Sequence, residues 1–199
     1  MILRLLQPLR LFAVIALALA VLLALAANTG ATRKYRLDET ASNVSAKVPF
    51  FGVASKTARF PKMAGMVTIV PDAPDKAIID VTFDATAIEA PDSVTLKRLR
   101  GEKFFWVEKY PQVRFVGRSL AFTDERRGKV SGTLTARGVS RPATLAVTFD
   151  RAPLKTQTGE AVSFEGTTTI DRREFGMKSY QLIVGNKVDI TMRARMIPR

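Results

Sequence analysis

The 199-residue chain contains neither cysteine nor histidine. Without cysteine, disulfides, thiol catalysis and cysteine-ligated metals are excluded. Without histidine, the chain lacks the most common general base and the most common ligand of transition metals. A Ser-His-Asp triad and histidine-ligated zinc are therefore impossible. These absences favour binding over catalysis, although carboxylates, lysine and tyrosine can still move protons, and we predict no cofactor and no metal site.

Acidic residues are scarce relative to basic ones, 18 against 31, which gives a formal net charge of +13. A basic surface is compatible with nucleic acid, an anionic membrane surface or an anionic ligand. The basic residues form scattered pairs such as Arg126-Arg127, which is typical of a solvated basic surface. Aromatic residues beside basic ones, as at Arg114-Phe115, loosely resemble a stacking platform for nucleic acid. Export, which the N-terminus indicates, argues against a nucleic-acid partner.

Residues 1–27 have the layout of a secretory signal peptide. Arg4 and Arg10 supply the positive start, residues 11–26 are uninterruptedly apolar, and Ala24-Leu25-Ala26 provides an A-x-A pattern of small residues. An uncleaved membrane anchor is the alternative, although a spanning helix needs about 20 apolar residues. In both cases we predict that the rest of the chain is exported, and that it is membrane-anchored if the segment is not cleaved.

Downstream of a linker at residues 28–34, apolar and polar residues alternate with a period of two, the mark of half-buried strands. The clearest hairpin is residues 130–149, where one side carries Val130, Gly132, Leu134 and Ala136, and then Leu145, Val147 and Phe149. Gly138 and Pro142 between the two runs predict the turn. Similar alternation elsewhere predicts one antiparallel sandwich or barrel of about eight or more strands, spanning residues 35–199.

The segment from Asp92 to Tyr110 interrupts this alternation. Its apolar residues are spaced as in helical turns, and Asp92 can cap a helix. We therefore predict one or two short helices, interrupted at Gly101 and finished before Pro111. The cluster Phe104-Phe105-Trp106 must cover apolar surface, either as a plug over one end of the sheet or as part of a ligand site.

The candidate chemistry is sparse. Asp80 and Asp84 lie close in sequence but alternate with apolar residues, which favours a solvent-facing position over a catalytic pair. The many phenylalanines are compatible with a filled core or with a cavity that holds one small ligand. Composition alone does not distinguish these two interiors.

Three segments resemble the YceI-like family of bacterial periplasmic polyisoprenoid-binding proteins. They are Leu99 to Phe115, with its paired phenylalanines and Tyr-Pro; Val130 to Phe149, with its Gly-Val-x-x-Pro; and Ile170 to Met177, with its Phe-Gly-Met, followed by residues 184–188. The resemblance covers about residues 35–197. The chain departs from the family near the first strands, where Ala41-Ser42 and Pro49-Phe50 stand in place of histidines and a Gly-x-Phe.

The resemblance implies an all-β fold: an extended, antiparallel, lipocalin-like β-barrel of about eight strands with one or two short helices, preceded by the N-terminal signal or anchor helix. It implies a periplasmic protein that binds an isoprenoid or other long-chain lipid, such as a polyprenyl phosphate or a quinone tail, without covalent chemistry. The implied cavity residues are Phe83, Leu99, Phe104, Phe105, Trp106, Phe115, Leu134, Val147, Phe164 and Phe175. Arg98, Arg100 and Arg172 are the implied contacts to an anionic head group.

Two other functions remain open at this point. One is an enzyme or accessory factor that acts on isoprenoid lipids. The other is a basic exported protein with a filled core, which binds anionic polymers or a membrane surface. The oligomeric state is left undetermined by the residues.

Overall fold

The computed structural model describes residues 31–157 and 159–199, so the signal or anchor segment at residues 1–27 lies outside the described residues. Within the described ranges, the chain forms ten strands and one α-helix. The strands are β1 Arg33–Leu37, β2 Asn43–Phe50, β3 Ala54–Phe60, β4 Met63–Ile69, β5 Ile78–Asp84, β6 Gln112–Phe122, β7 Arg127–Ala136, β8 Val139–Phe149, β9 Val162–Asp171 and β10 Lys187–Pro198, and the helix is α1 Ser93–Arg100. Among these residues, none of the helical segments has the length and apolarity that a membrane span requires.

Eight strands close into an antiparallel barrel in the order β1-β4-β5-β6-β7-β8-β9-β10, and β10 returns to β1. β10 pairs with β9 over residues 187–196. On its other side it pairs with β2 through residues 189–193 and with β1 through residues 196–198. The hairpin of β2 and β3 therefore extends the wall at one end. The prediction of a closed β-barrel of about eight strands is confirmed.

The two ends of the barrel differ. At one end, which we call the closed end, the loop between β8 and β9 folds inward, and its Pro153 is fully buried. The guanidinium of Arg33 holds this loop by donating to the carbonyls of Pro153 (2.6 Å) and Leu154 (3.1 Å). At the other end, which we call the mouth, lie the β2–β3 tip (residues 51–53), α1, the turns at residues 101–111 and the loop at residues 176–186.

The apolar side chains of the β7–β8 hairpin point into the barrel as predicted, since Val130, Leu134 and Val147 are buried. The turn, however, is shorter than predicted. It consists of Arg137 and Gly138, both with positive φ, so that β8 already begins at Val139. Pro142 lies inside β8, where its neighbour β9 is paired only with residues 146–149. A proline is tolerated there because that half of β8 has no ladder with β9 to lose.

The segment predicted to hold one or two short helices contains one α-helix, α1. The carboxylate of Asp92 caps it by accepting from the backbone N–H of Thr95 (2.8 Å), and the helix ends at Gly101. Residues 101–111 then form hydrogen-bonded turns. The aromatic cluster at residues 104–106 therefore sits on turns, which orient its three side chains differently.

Two glycines face each other across β6 and β7 in the barrel interior. Gly117 and Gly132 are register partners, next to an irregularity in the β6–β7 pairing. A Cβ at position 132 would lie 2.3 Å from the carbonyl oxygen of Val116, which is backbone and cannot swing away. The close approach of these backbones thus requires glycine at position 132.

We expect Gly132→Ala to lower the free energy of unfolding by about 1–3 kcal/mol, because the added methyl overlaps fixed backbone. Urea unfolding followed by circular dichroism measures this. Gly101→Ala is the matched control, since its Cβ would meet nothing closer than 3.4 Å. Equal stability of the two variants would contradict the proposed role of Gly132.

Candidate functional site

The barrel interior contains a cavity of about 150 Å³, which we call the inner cavity. Its lining comes from the inner face of the closed sheet and is almost entirely hydrocarbon. Phe149 and Phe164, whose rings lie 5.8 Å apart, bound it towards the closed end. Towards the mouth it is bounded by Phe60 and Phe105, which pack edge to face at 5.5 Å. The interior is therefore neither filled nor polar.

A second cavity of about 110 Å³, the outer cavity, lies at the mouth. The β2–β3 hairpin, α1 and the loop at residues 176–186 form its walls. The inner and outer cavities share five lining residues: Ala46, Phe105, Arg172, Met177 and Val188. The two spaces are thus neighbours, separated by a narrow set of side chains.

Most of the polar lining belongs to the outer cavity. Its lining includes Lys56, Thr57, Thr95, Arg98 and the ring of Tyr180. In contrast, the inner cavity is lined by hydrocarbon apart from Thr168 and Arg172. The combined space is apolar in depth and basic at its outer end, which is the distribution that an anionic amphiphile requires.

Arg172 is the one charged side chain that lines both cavities, and it is only 3% exposed. Its guanidinium donates to the backbone carbonyls of Gly185, Ser179 and Val184 at 2.8 Å each, to that of Met177, and at 3.5 Å to the side chain of Asn186. All five N–H donors are used. Arg172 therefore holds the loop at residues 176–186 against the barrel and has no donor left for a head group.

Burial lowers the pKa of Arg172, an effect that the nearby Asp171 carboxylate partly offsets. Asp171 is itself held by a bidentate contact with Arg173, and this hydrogen bonding keeps the pKa of Asp171 well below its usual range. Asp171 also accepts from the backbone N–H of Arg173 (3.0 Å), which starts the short 3-10 helix at residues 172–175. The aspartate thus fixes the turn from which Arg172 reaches inward.

The other two predicted head-group arginines differ from each other. Arg98 lines the outer cavity, and its guanidinium carbon lies 5.1 Å from the ring centre of Tyr180. No carboxylate pairs with Arg98 in the part of the chain that the structure describes. Arg100 donates to the carbonyl of Thr86 (2.9 Å) and lines neither cavity. Of the three, Arg98 combines access to the cavity with an uncommitted charge.

The predicted cavity residues separate into three groups. Those that line the inner cavity are Phe83, Phe105, Phe115, Leu134, Val147 and Phe164. Those that line the outer cavity are Leu99, Phe104 and, again, Phe105. Trp106 and Phe175 line neither: Trp106 packs edge to face against Tyr110 at 5.8 Å, and Phe175 is 1% exposed within the core.

Part of the outer wall was not predicted. Tyr180 stacks on Phe104 at 6.0 Å, and Val184 forms a bridge with Phe50 of β2. The sequence signal for this loop is the short apolar run Leu182-Ile183-Val184. The positions of Tyr180 and Val184 depend on hydrogen bonds from Arg172, which lies eight or more residues before them. No local pattern in the sequence predicts these positions.

The two carboxylates that were weighed as a catalytic pair have structural partners. Asp80 forms an ion pair with Arg114 on the outer face of the barrel. Asp84 caps the 3-10 helix at residues 85–87 by accepting from the backbone N–H of Thr86 (2.9 Å). Among the described residues, no group of three or more acidic side chains is arranged to hold a metal ion.

The family profile of the YceI-like domain matches residues 35–196, nearly the whole of the described barrel. The chain belongs to the YceI-like domain family. A UPF0312 protein of Pseudomonas putida strain GB-1 is 28% identical over 169 residues, covering 84% of this chain and 86% of that protein.

Solved structures support this YceI-like fold. The crystal structure of Burkholderia cenocepacia BcnA aligns with a TM-score of 0.70 at 24% identity, covering 80% of this chain and 98% of that one. A polyisoprenoid binding domain from Saccharophagus degradans aligns with a TM-score of 0.64 at 17% identity, covering 83% and 98%. At these identities, the similarity establishes the YceI-like barrel architecture.

Replacing Arg172 by methionine tests its role as a clamp. We expect Arg172→Met to lower the free energy of unfolding by about 2–4 kcal/mol, because several buried carbonyls lose their donor. Arg100→Met, an exposed arginine with one hydrogen bond, should cost less than about 0.5 kcal/mol. Urea unfolding measures both, and a small effect at Arg172 would contradict the clamp.

The low pKa of Asp171 predicts a stability that depends on pH. A carboxylate whose pKa is lowered by folding stabilises the fold above its unfolded pKa of about 3.9, and this contribution is lost as pH falls towards the folded pKa. The stability difference between the wild type and Asp171→Asn should therefore be constant above about pH 5 and shrink below about pH 4. Unfolding curves at a series of pH values measure it; a difference that stays constant down to acid pH would refute this assignment.

Proposed function

We propose that this protein is an exported, non-catalytic carrier that binds an anionic isoprenoid-type lipid, with the hydrocarbon chain in the barrel and the head group at the mouth. The observation that carries the proposal is the pair of adjoining cavities, apolar in the interior and basic at the outer end. The YceI-like family and the polyisoprenoid binding domain among the structural neighbours support an isoprenoid chain as the ligand.

The interior supplies affinity without any catalytic group. Each CH₂ group transferred from water into such an environment contributes about 0.8 kcal/mol. The inner cavity offers this environment along its whole wall, from Phe105 to Phe149.

Arg98 is the contact that we propose for the anionic head group of the lipid. Its guanidinium is exposed, lines the outer cavity and rests on Tyr180 rather than on a carboxylate. Lys103 lies 5.5 Å from the centre of the same ring, so two cations converge there. A phosphate at this point would gain charge-assisted hydrogen bonds without having to displace an existing ion pair. Arg172, whose donors are all in use, contributes only its positive field.

A chain that occupies both cavities must pass the shared residues. Phe105 is half-buried and Met177 has an adaptable side chain, so both can move aside as a chain enters. Ala46, in contrast, belongs to β2, which is paired on both sides. Its small side chain keeps the passage open, and a larger one there would narrow it.

Export rests on the N-terminal segment, with its two arginines, apolar run and A-x-A pattern. A periplasmic location would place the barrel beside membranes that contain isoprenoid lipids. The proposal is tested first by native mass spectrometry of the protein purified from cells, followed by lipid extraction. A co-purifying isoprenoid is expected; repeated purification without any lipid, and no uptake of added polyprenyl phosphate, would overturn the carrier function.

Ala46→Phe should block the passage between the cavities. We expect it to reduce retention of a polyprenyl phosphate at least ten-fold, because the chain can then fill only one cavity. The matched control is Ala64→Phe, the same change at an exposed position on β4. Native mass spectrometry with a defined polyprenyl phosphate measures retention, and circular dichroism verifies folding. Equal retention by two folded variants would show that the chain does not take this route.

A further inference from the structure

Large apolar side chains are exposed mainly at the mouth. Five are strongly exposed among the described residues, and four of these lie at this end: Phe51 (61%), Val53 (95%), Val94 (57%) and Leu182 (100%). The fifth, Ile78 (51%), begins β5 towards the closed end. A soluble surface gains nothing by presenting bulky hydrocarbon so fully, and such side chains grouped together mark an interaction site.

The exposed residues come from three segments that are bonded to each other. The backbone N–H of Phe51 donates to the carbonyl of Ile183 (2.8 Å), which places Leu182 beside the β2–β3 tip. On the other side of the hairpin, Lys56 of β3 pairs with Asp92 (2.8 Å), two residues before Val94. Phe51, Val53, Val94 and Leu182 therefore form one rim, which we call the apolar rim, around the outer cavity.

Backbone strain is concentrated at the same end. Four described residues other than glycine have positive φ: Phe51, Trp106 and Tyr180 in segments of the mouth, and Arg137 in the β7–β8 turn, which donates to the carbonyl of Gly176. A bulky residue rarely adopts this conformation, and it persists where the surroundings enforce it. Phe51 and Gly52 have successive positive φ values, as a tight hairpin turn requires, and this turn holds the aromatic side chain of Phe51 out in solvent.

The charges around the apolar rim are unbalanced. Residues 97–109, which run from α1 into the following turns, carry five basic and two acidic side chains. Arg98 and Lys103 rest on Tyr180, and neither has an ion pair within the described residues. The mouth therefore presents unpaired basic side chains directly beside its exposed apolar residues.

We propose that the apolar rim docks the mouth on an anionic lipid bilayer, with Phe51, Val53 and Leu182 entering the interface and the basic residues of 97–109 meeting lipid phosphates. Apolar protrusions combined with uncompensated cations are the two features that bind a surface of anionic lipid. A second copy of this basic rim would bring like charges together, which disfavours a dimer through the same face. The inference rests on the proposed function, since docking here opens the outer cavity directly to membrane lipid.

Because the chain contains no cysteine, a single cysteine introduced by substitution can be labelled selectively. Val53→Cys and Leu182→Cys, each in the full chain, are labelled with a polarity-sensitive nitrobenzoxadiazole fluorophore. Ile78→Cys, near the closed end, is the matched control. Each protein is added to vesicles of phosphatidylglycerol mixed with phosphatidylcholine and to vesicles of phosphatidylcholine alone. The N-terminal apolar segment can bring the full chain to any vesicle, so the readout is which end of the barrel enters an apolar environment.

We expect a blue shift and a several-fold rise in emission at positions 53 and 182 with anionic vesicles, a smaller response with neutral vesicles or high salt, and no response at position 78. Equal responses at all three positions, or none at 53 and 182, would overturn the docking proposal. So would a response at position 53 that follows protein concentration without vesicles, because it would assign the rim to a second copy.

Native mass spectrometry of the same labelled proteins separates this inference from the carrier function. A protein that retains polyprenyl phosphate but shows no response at positions 53 and 182 is a carrier that does not dock through the rim. A protein that responds at both positions but takes up no isoprenoid docks as proposed, and only the carrier function is then wrong.

Discussion

The closure of the sheet through β10 is the constraint on which the rest of the structure depends. β10 pairs with β9 along one side and with β2 and β1 in succession along the other. The last strand of the chain therefore closes the sheet onto the first. Closure gives every barrel strand two neighbours, although residues 139–145 of β8 have no ladder with β9, and every inward side chain then either fills the interior or lines a cavity. Phe60 and Phe105 bound the inner cavity towards the mouth and Phe149 and Phe164 towards the closed end, whereas Gly117 and Gly132 in the wall pack against the ring of Phe115.

The loops at the mouth are not held by strand pairing, so another interaction must fix their position. Arg172 provides it by donating five hydrogen bonds to the loop that bears Tyr180 and Val184. A buried charge is costly to desolvate unless its hydrogen bonds are satisfied, and here neutral carbonyls satisfy them. The result is a rigid wall beside the outer cavity and a positive field between the two cavities, with no donor offered to a ligand.

The sequence predicted the barrel strands correctly where apolar and polar residues alternate with a period of two. Val81 and Phe83, or Val130 and Leu134, alternate with polar residues, and the structure buries them as predicted. The strand β3 has no clear apolar alternation in the sequence, because Lys56 shares the face of Ala58 and Phe60. The turn after β7 was predicted too long because Pro142 is compatible with a strand only where the ladder to β9 is absent, which is a property of the whole sheet.

The site was less predictable than the fold for the same reason. Phe104, Phe105 and Trp106 are adjacent and chemically alike, yet two line a cavity and the third packs on Tyr110, because the turns after α1 rotate successive side chains. Arg98, Arg100 and Arg172 were equal candidates for a head group in sequence. Their hydrogen bonds distinguish them, and these bonds depend on segments that lie up to 14 residues away.

The proposed carrier must also release its lipid, and the apolar lining of the cavities limits how it can do so. Burying about ten CH₂ groups contributes about 8 kcal/mol, which corresponds to roughly a millionfold preference over water. Transfer through the aqueous phase would therefore be slow for any chain that fits well. No histidine is present to loosen the site on mild acidification. Release is easiest if the chain passes from one apolar environment into another, and an outer cavity that opens within an apolar, basic rim is the geometry that allows this.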